Sequence, residues 1–385
     1  MSDDRRRAGR VRLRARGWWV PLVLGAATAC AGGTATDAPQ PEPRGTEGAV
    51  VDTATASGTT GTRGSGEQAD AAAVRPDTAG PTRTPPDDTL YREERDAAGE
   101  SVRIEPRLEE VAEPEPYEPP VPILPGAVLP GHRIVAFYGN PASKRMGILG
   151  EVPPDEMLDR LDREVRAWKQ ADPDTPVRPA LQMIAVMATG DPGRDSLFRL
   201  RMPDHRIRQV ASWAARRDGL LFLDIQPGWS TVAAEIEPFA DWLARPHVHL
   251  ALDPEWDMPP GAIPGRVIGS MSAADINHAI DFLADLVERH NLPPKVLVVH
   301  RFTESMIREA HAIRRDPRVQ VVINMDGWGA PPNKKAAYRD VVAPEADQYT
   351  GIKLFFHNDV RNGSVLLTPG EILELQPAPV YIQYQ

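Results

Sequence analysis

From Val121 onward, short apolar runs alternate with stretches in which large apolar residues recur at helical spacing. Eight runs read as strands: RIVAFYGN (133–140), ALQMIAVMA (180–188), LLFLDIQ (220–226), HLALDPE (249–255), KVLVVHRF (295–302), QVVINMDG (320–327), IKLFFHND (352–359) and VYIQYQ (380–385). Their β-branched and aromatic content suits buried strands.

Between them, Met157, Leu158, Leu161, Val165 and Trp168 mark a helix entered through Pro153-Pro154 and Asp155. Ile207, Val210 and Ala214 mark a second, and Val232, Ile236, Phe239 and Leu243 a third. Ile276, Ile280, Leu283 and Val287 mark a fourth, with Ser272 and Asp275 as a capping pair at its start. Met306, Ile307, Ala310 and Ile313 predict a helix after the fifth strand, and short helices are expected around 336–341 and 369–375. Eight strands mostly separated by helices, over about 250 residues, predict an α/β fold of the (β/α)8 TIM-barrel type. An open doubly wound sheet needs the same alternation. The run RVIGSM (266–271) has no helix between it and the fourth strand, which places it in a long fourth loop.

The N-terminal third has no such pattern. Residues 1–16 hold seven arginines, and the apolar run WWVPLVLGAATA ends in small residues before Cys30, the only cysteine of the 385 residues. Basic segment, short apolar segment and small residues are the order of an export signal over 1–29, and the apolar run is shorter than the roughly 20 residues of a spanning helix. Ala27-Thr28-Ala29-Cys30 is similar to a bacterial lipobox, making Cys30 the expected lipidation site and membrane anchor. Residues 30–120, rich in Pro, Gly, Thr and acids, predict a disordered tether. The barrel is then the domain at 121–385, exported and held at the cell membrane by its lipid. With a net charge of −10, nucleic acid is not an expected partner.

Residues two apart share a face of a strand. Asp224 and Gln226 fall together on the third strand, Asp253 and Glu255 on the fourth, Asn324 and Asp326 on the sixth, and His357 and Asp359 on the seventh. Tyr138 and Asn140 end the first, His300 the fifth, and Tyr381 and Gln383 the eighth. In a barrel these groups converge at the C-terminal mouth, where barrel active sites are built. Each alone also suits a turn, but five carboxylates on the inward faces of four strands point to a site. Trp229, Trp256 and Trp328 lie close by in sequence and could stack on sugar rings.

The segments AFYGNP, LLFLDIQPG, LALDPEW, VVHRF, NMDGWG and KLFFHND resemble those of TIM-barrel glycoside hydrolases. More specifically they resemble uncharacterised secreted bacterial lipoproteins that carry such a barrel. The likeness covers about 131–385 and implies a carbohydrate substrate or ligand. In large groups of these hydrolases the acid is a Glu ending the fourth strand, which Glu255 matches; the seventh-strand nucleophile has only Asp359 as counterpart. In another group both catalytic groups are Asp, on the fourth and sixth strands, which points to Asp253 and Asp326. The assignment is therefore Glu255 as acid with Asp326 or Asp253 as partner. Tyr138, Asn140, Asp224, Gln226, Trp256, His300, Asn324, His357, Asp359, Tyr381 and Gln383 are the expected substrate-binding groups. Alternatives are a metal-dependent hydrolase and a non-catalytic glycan-binding barrel. No His-Glu-x-x-His run or phosphate loop occurs, so no cofactor and no metal ligand is assigned. The His247-x-His249 pair opens its strand, at the end away from the mouth.

Overall fold

The computed structural model describes residues 121–385 except Ala346, together with residues 94–95 and 101–102. The chain divides into two units, Met1–Ala112 and Glu113–Gln385. In the first, Glu94–Arg95 pairs antiparallel with Ser101–Val102. The expected signal (1–29), the lipidation site Cys30 and the tether (30–120) fall outside the described residues apart from these two pairs.

In the second unit eight parallel strands close on themselves: β1 (Arg133–Gly139), β2 (Val177–Ala188), β3 (Leu220–Ile225), β4 (Val248–Leu252), β5 (Lys295–Arg301), β6 (Val319–Met325), β7 (Tyr349–Leu354) and β8 (Tyr381–Tyr384). Each pairs with its neighbours in sequence, and β8 closes the ring on β1. This is a (β/α)8 barrel. All eight expected strands are present.

Closure sorts each strand's two faces between two cores. Outward residues such as Val135, Phe137, Leu221, Leu223, Leu250, Leu252, Leu297 and Ile323 pack against the helices. Inward residues fill the barrel axis: Ile134, Ala136, Ala180, Phe222, Ala251, Val298, Val322 and Tyr381. Small alanines set beside Phe222 and Tyr381 fill the axis without overpacking it. Gly351 of β7 is needed for the same reason, because a Cβ there would lie 2.7 Å from the Asn324 side-chain oxygen. Leu129 plugs the N-terminal end; its backbone N–H donates to Gln320 Oε1 and its carbonyl accepts from Gln320 Nε2.

The helices follow from their local chemistry. α1 (Pro154–Ala171) begins with proline, whose missing N–H costs nothing in a first turn. α2 spans Asp204–Ala215. α3 (Val232–Ile236) is capped by Thr231 and passes through a 3-10 turn at Glu237–Phe239, where Pro238 cannot donate, before a last helical turn at Ala240–Leu243. The third expected helix is therefore broken. α4 (Ala273–His290) opens with the expected Ser272–Asp275 capping box. α5 (Pro331–Ala337) runs into a π-turn at Tyr338–Val342, and α6 (Pro369–Leu373) carries a second capping box.

Two expectations are corrected. The helix predicted from Met306, Ile307, Ala310 and Ile313 does not form. Glu304–Met306 and Ala310–Ala312 are 3-10 turns, and Ile307–Arg308 is a strand paired parallel with Met271–Ser272 of the fourth loop. The apolar spacing arises because Met306, Ile307 and Ile313 are all buried under the two joined loops. Likewise β4 stops at Leu252, and Pro254–Trp256 is a 3-10 turn, so Asp253 and Glu255 do not share a strand face. RVIGSM lies in the fourth loop as expected, entering the small sheet at Met271. No helix among the described residues is long and apolar enough to cross a membrane.

Candidate functional site at the C-terminal mouth

Above the apolar axis lies a polar layer contributed by the strands or by the residues that directly follow them. At its centre is His300 of β5, fully buried. Its Nδ1 stands 3.0 Å from Asp326 Oδ2 and its Nε2 3.8 Å from Asp224 Oδ2. Gln182 of β2 places its amide Nε2 2.9 Å from His300 Nε2, and its Oε1 accepts a hydrogen bond from the Tyr381 hydroxyl. Asn324 Nδ2 lies 3.3 Å from His300 Nδ1 and donates to Gln383 Oε1 at 3.2 Å. On the fourth-strand side, Gln226 Nε2 donates to Asp253 Oδ2 at 3.3 Å and to the Tyr138 hydroxyl at 3.4 Å. A bulge between Ile184 and Val186 helps aim Gln226, whose Oε1 accepts from the Ala188 N–H.

Lys353 of β7 supplies a cation. Its Nζ is 3.0 Å from Asp326 Oδ1 and 3.9 Å from the centre of the Tyr138 ring. Asp326 is thus held by Lys353 on one oxygen and by His300 on the other. Burial would raise its pKa, but Lys353 and His300 outweigh it and bring Asp326 down to about 2. The remaining acids go the other way. Burial, with Asp224 and Asp326 adding to it and His300 opposing, raises Asp253 to about 7. Glu255 keeps part of its surface open, yet burial around its carboxyl, with Asp253 and Asp326 adding, raises it to about 8. Asp224 is raised by burial, against the opposing pull of His300, Lys353 and the Tyr138 hydroxyl. For His300, burial acts downward but Asp326 and Asp224 prevail and raise it. The mouth therefore sets carboxyl groups with raised and lowered pKa values side by side.

The structure brings together Tyr138, Asp224, Gln226, Asp253, Glu255, His300, Asn324, Asp326, Tyr381 and Gln383. It separates four others. His357 lies beyond the end of β7, is 71% exposed and pairs with Glu151 at 3.0 Å. Asp359 is buried against Lys334 Nζ at 3.2 Å and accepts the backbone N–H groups of Gly329 and Phe355. Asn140 forms a turn, its Oδ1 accepting from the Ala142 N–H. Trp256 is half-buried in the fourth loop. Sequence reasoning passed over Lys353 and Gln182. Gln182 stands between Leu181 and Met183 on β2, and Lys353 between Ile352 and Leu354 on β7, so each is a polar residue flanked on both sides by apolar ones. Among the described residues no three His, Cys, Asp or Glu side chains are grouped so as to hold a metal ion. His247 and His249 lie at the N-terminal end, and burial pushes the His249 imidazole well below its ordinary value.

No family model and no curated protein matches the chain. Among solved structures it is similar to a spore coat polysaccharide biosynthesis protein of Bacillus subtilis, at 13% identity over 66% of this chain and 59% of that one, TM-score 0.33. It is also similar to a 5-methylcytosine deaminase from Klebsiella pneumoniae liganded with 5-fluorocytosine, at 12% identity over 60% and 52%, TM-score 0.26. The chain thus spans between half and three fifths of the length of these two proteins. At these scores neither likeness carries an argument about function.

Proposed function

We propose that the barrel is a glycoside hydrolase acting on a polysaccharide, with Glu255 as proton donor and Asp326 as the ionised carboxylate facing the sugar. The observation that carries this reading is the unlike setting of two acids at one mouth: Lys353 Nζ and His300 Nδ1 each stand 3.0 Å from an oxygen of Asp326 and draw its pKa down, while burial and the neighbouring Asp253 and Asp326 push Glu255 up. Carboxyl groups whose surroundings drive their pKa values apart are the arrangement that protonates a leaving oxygen while stabilising positive charge at the anomeric carbon. Glu255 gives its proton to the glycosidic oxygen as that bond breaks. Asp326, kept anionic by Lys353 and His300, stabilises the oxocarbenium-like centre. A water adds to the anomeric carbon and returns a proton to the carboxyl groups, so their proton count is restored. In this reading Asp253 and Gln226, which bond each other at the mouth, also bond sugar hydroxyls.

The test is a polysaccharide screen on the purified protein beside Glu255→Gln. Release of reducing ends by the wild type and its loss in the variant, with binding retained, supports the reading. Saturable binding with no product from any polysaccharide leaves a glycan-binding barrel, and metal-dependent recovery after chelation replaces the carboxylate mechanism.

The same proposal places the protein outside the cytoplasm on a lipid anchor, a reading supported by the order of arginines, apolar run and Cys30 in the sequence. Cys30→Ser is expected to move the protein from the membrane fraction to the soluble exported fraction. Unchanged membrane association would sink the anchor.

A further inference from the structure

Asp326 is followed at once by Gly327-Trp328-Gly329. Trp328 is 41% exposed and is the only exposed Trp, Tyr or Phe among the described residues. The two other tryptophans of the mouth loops are only partly open. Trp229 packs on Phe198 with ring centres 4.6 Å apart and donates its indole N–H to the Ala262 carbonyl, while Trp256 sits against the fourth loop. Over the Trp328 ring stands the Arg361 guanidinium, 5.6 Å from its centre.

The loop carrying Trp328 is fixed from below. Lys334 Nζ donates to the Gly327 carbonyl at 2.7 Å. Asp359 Oδ1 accepts the Gly329 N–H at 2.8 Å, and its Oδ2 accepts the Phe355 N–H at 2.9 Å and lies 3.2 Å from Lys334 Nζ. Lys334 and Asp359 are both almost wholly buried. A buried ion pair that ties down the residues on either side of one exposed indole does more than link two loops. It spends two desolvated charges on holding that ring in place.

We propose that Trp328 is a stacking platform for a pyranose ring of the substrate next to Asp326, through the face opposite the one over which Arg361 stands, and that Lys334 and Asp359 are positioning residues acting through Trp328. A flat apolar ring with a guanidinium over one face matches the two-sided chemistry of a sugar, with C–H groups on its faces for the open side of the indole and hydroxyls at its edge for the guanidinium. The inference rests on the glycoside reading above and adds which residue selects the sugar. It also gives Asp359 a role other than the nucleophile that the family likeness implies.

The experiment is calorimetric titration of the full-length protein with cellohexaose, xylohexaose, laminarihexaose, maltohexaose and chitohexaose. For whichever of these the wild type binds, Trp328→Ala is expected to weaken affinity about tenfold and Trp328→Phe by less than about threefold. Asp359→Asn is expected to weaken binding several-fold alone and to add nothing when Trp328→Ala is already present. A purely structural role would instead give additive losses. If Asp359→Asn does not fold, as judged by its heat denaturation, Lys334→Met takes its place in the cycle. Wild-type binding unchanged by Trp328→Ala, or additive losses in the cycle, overturns this inference and leaves the glycoside reading standing. No binding of any hexasaccharide by the wild type overturns both.

Discussion

Lys353 Nζ stands 3.0 Å from Asp326 Oδ1, and the two side chains, one from β7 and one from the residue that follows β6, are almost completely buried. This contact, with His300 on the second oxygen, draws the Asp326 pKa down in a layer where burial pushes those of Asp253 and Glu255 up. Removing Lys353 leaves the carboxylate buried with half of its compensation. Lys353→Met is expected to cost about 3 kcal/mol in urea denaturation at pH 7. Because the Asp326 pKa is depressed in the folded state, its contribution is present above the unfolded carboxyl pKa and is lost as pH falls toward 2. The variant should therefore show a smaller loss of stability between about pH 4 and 2. An unchanged acid profile would show that Lys353 does not hold Asp326 ionised.

Glu255 has the opposite sign. Its folded pKa of about 8 lies above the unfolded value, so the folded state binds more protons and stability falls as pH rises from about 4.5 to 8. Glu255→Gln, which copies the protonated acid without titrating, is expected to flatten urea midpoints across that window while lowering hydrolysis by at least about a hundredfold. A slope equal to that of the wild type would refute the raised pKa.

His357 supplies a contrast. It is exposed and touches Glu151 instead of the cup, so His357→Ala is expected to change stability by less than about 0.5 kcal/mol. Kinetics on the same variant check its exclusion from the site. A hundredfold loss of activity would return it to the list of catalytic candidates.

The cap of α4 is a purely local feature. Ser272 accepts from the Asp275 N–H, and the Asp275 carboxylate accepts from the Ser272 N–H. Ser272→Ala should cost about 1 kcal/mol by urea denaturation at constant slope.

That cap was legible from Ser272 and Asp275 alone because both partners lie within one turn. The eight strands were legible for a similar reason, since the two-residue period of β structure is written along the chain and tells which side chains share a face. Asp224, Asn324 and His300 could be assigned to the mouth on that basis. The fifth-strand helix was misread because apolar residues at helical spacing can equally be buried by two loops joined in a short parallel sheet, and spacing does not show what covers them. Glu255 was misplaced by a single proline, since Pro254 starts a 3-10 turn where the alternation pattern continued a strand.

What the sequence by itself determined about this protein is the order of its elements, the inward face of each strand and the chemistry gathered there, all set by interactions between near neighbours in the chain. The tertiary structure alone decided which of those groups meet. Gln182 reaches His300 across 118 positions, Lys353 meets Asp326 at the end of the neighbouring strand, and Asp359 turns from the cup to Lys334. These pairings depend on closure of the barrel, which fixes the depth and lateral position of every inward side chain. The pKa values that separate Glu255 from Asp326 follow from burial and partner charges that exist only once that ring is closed.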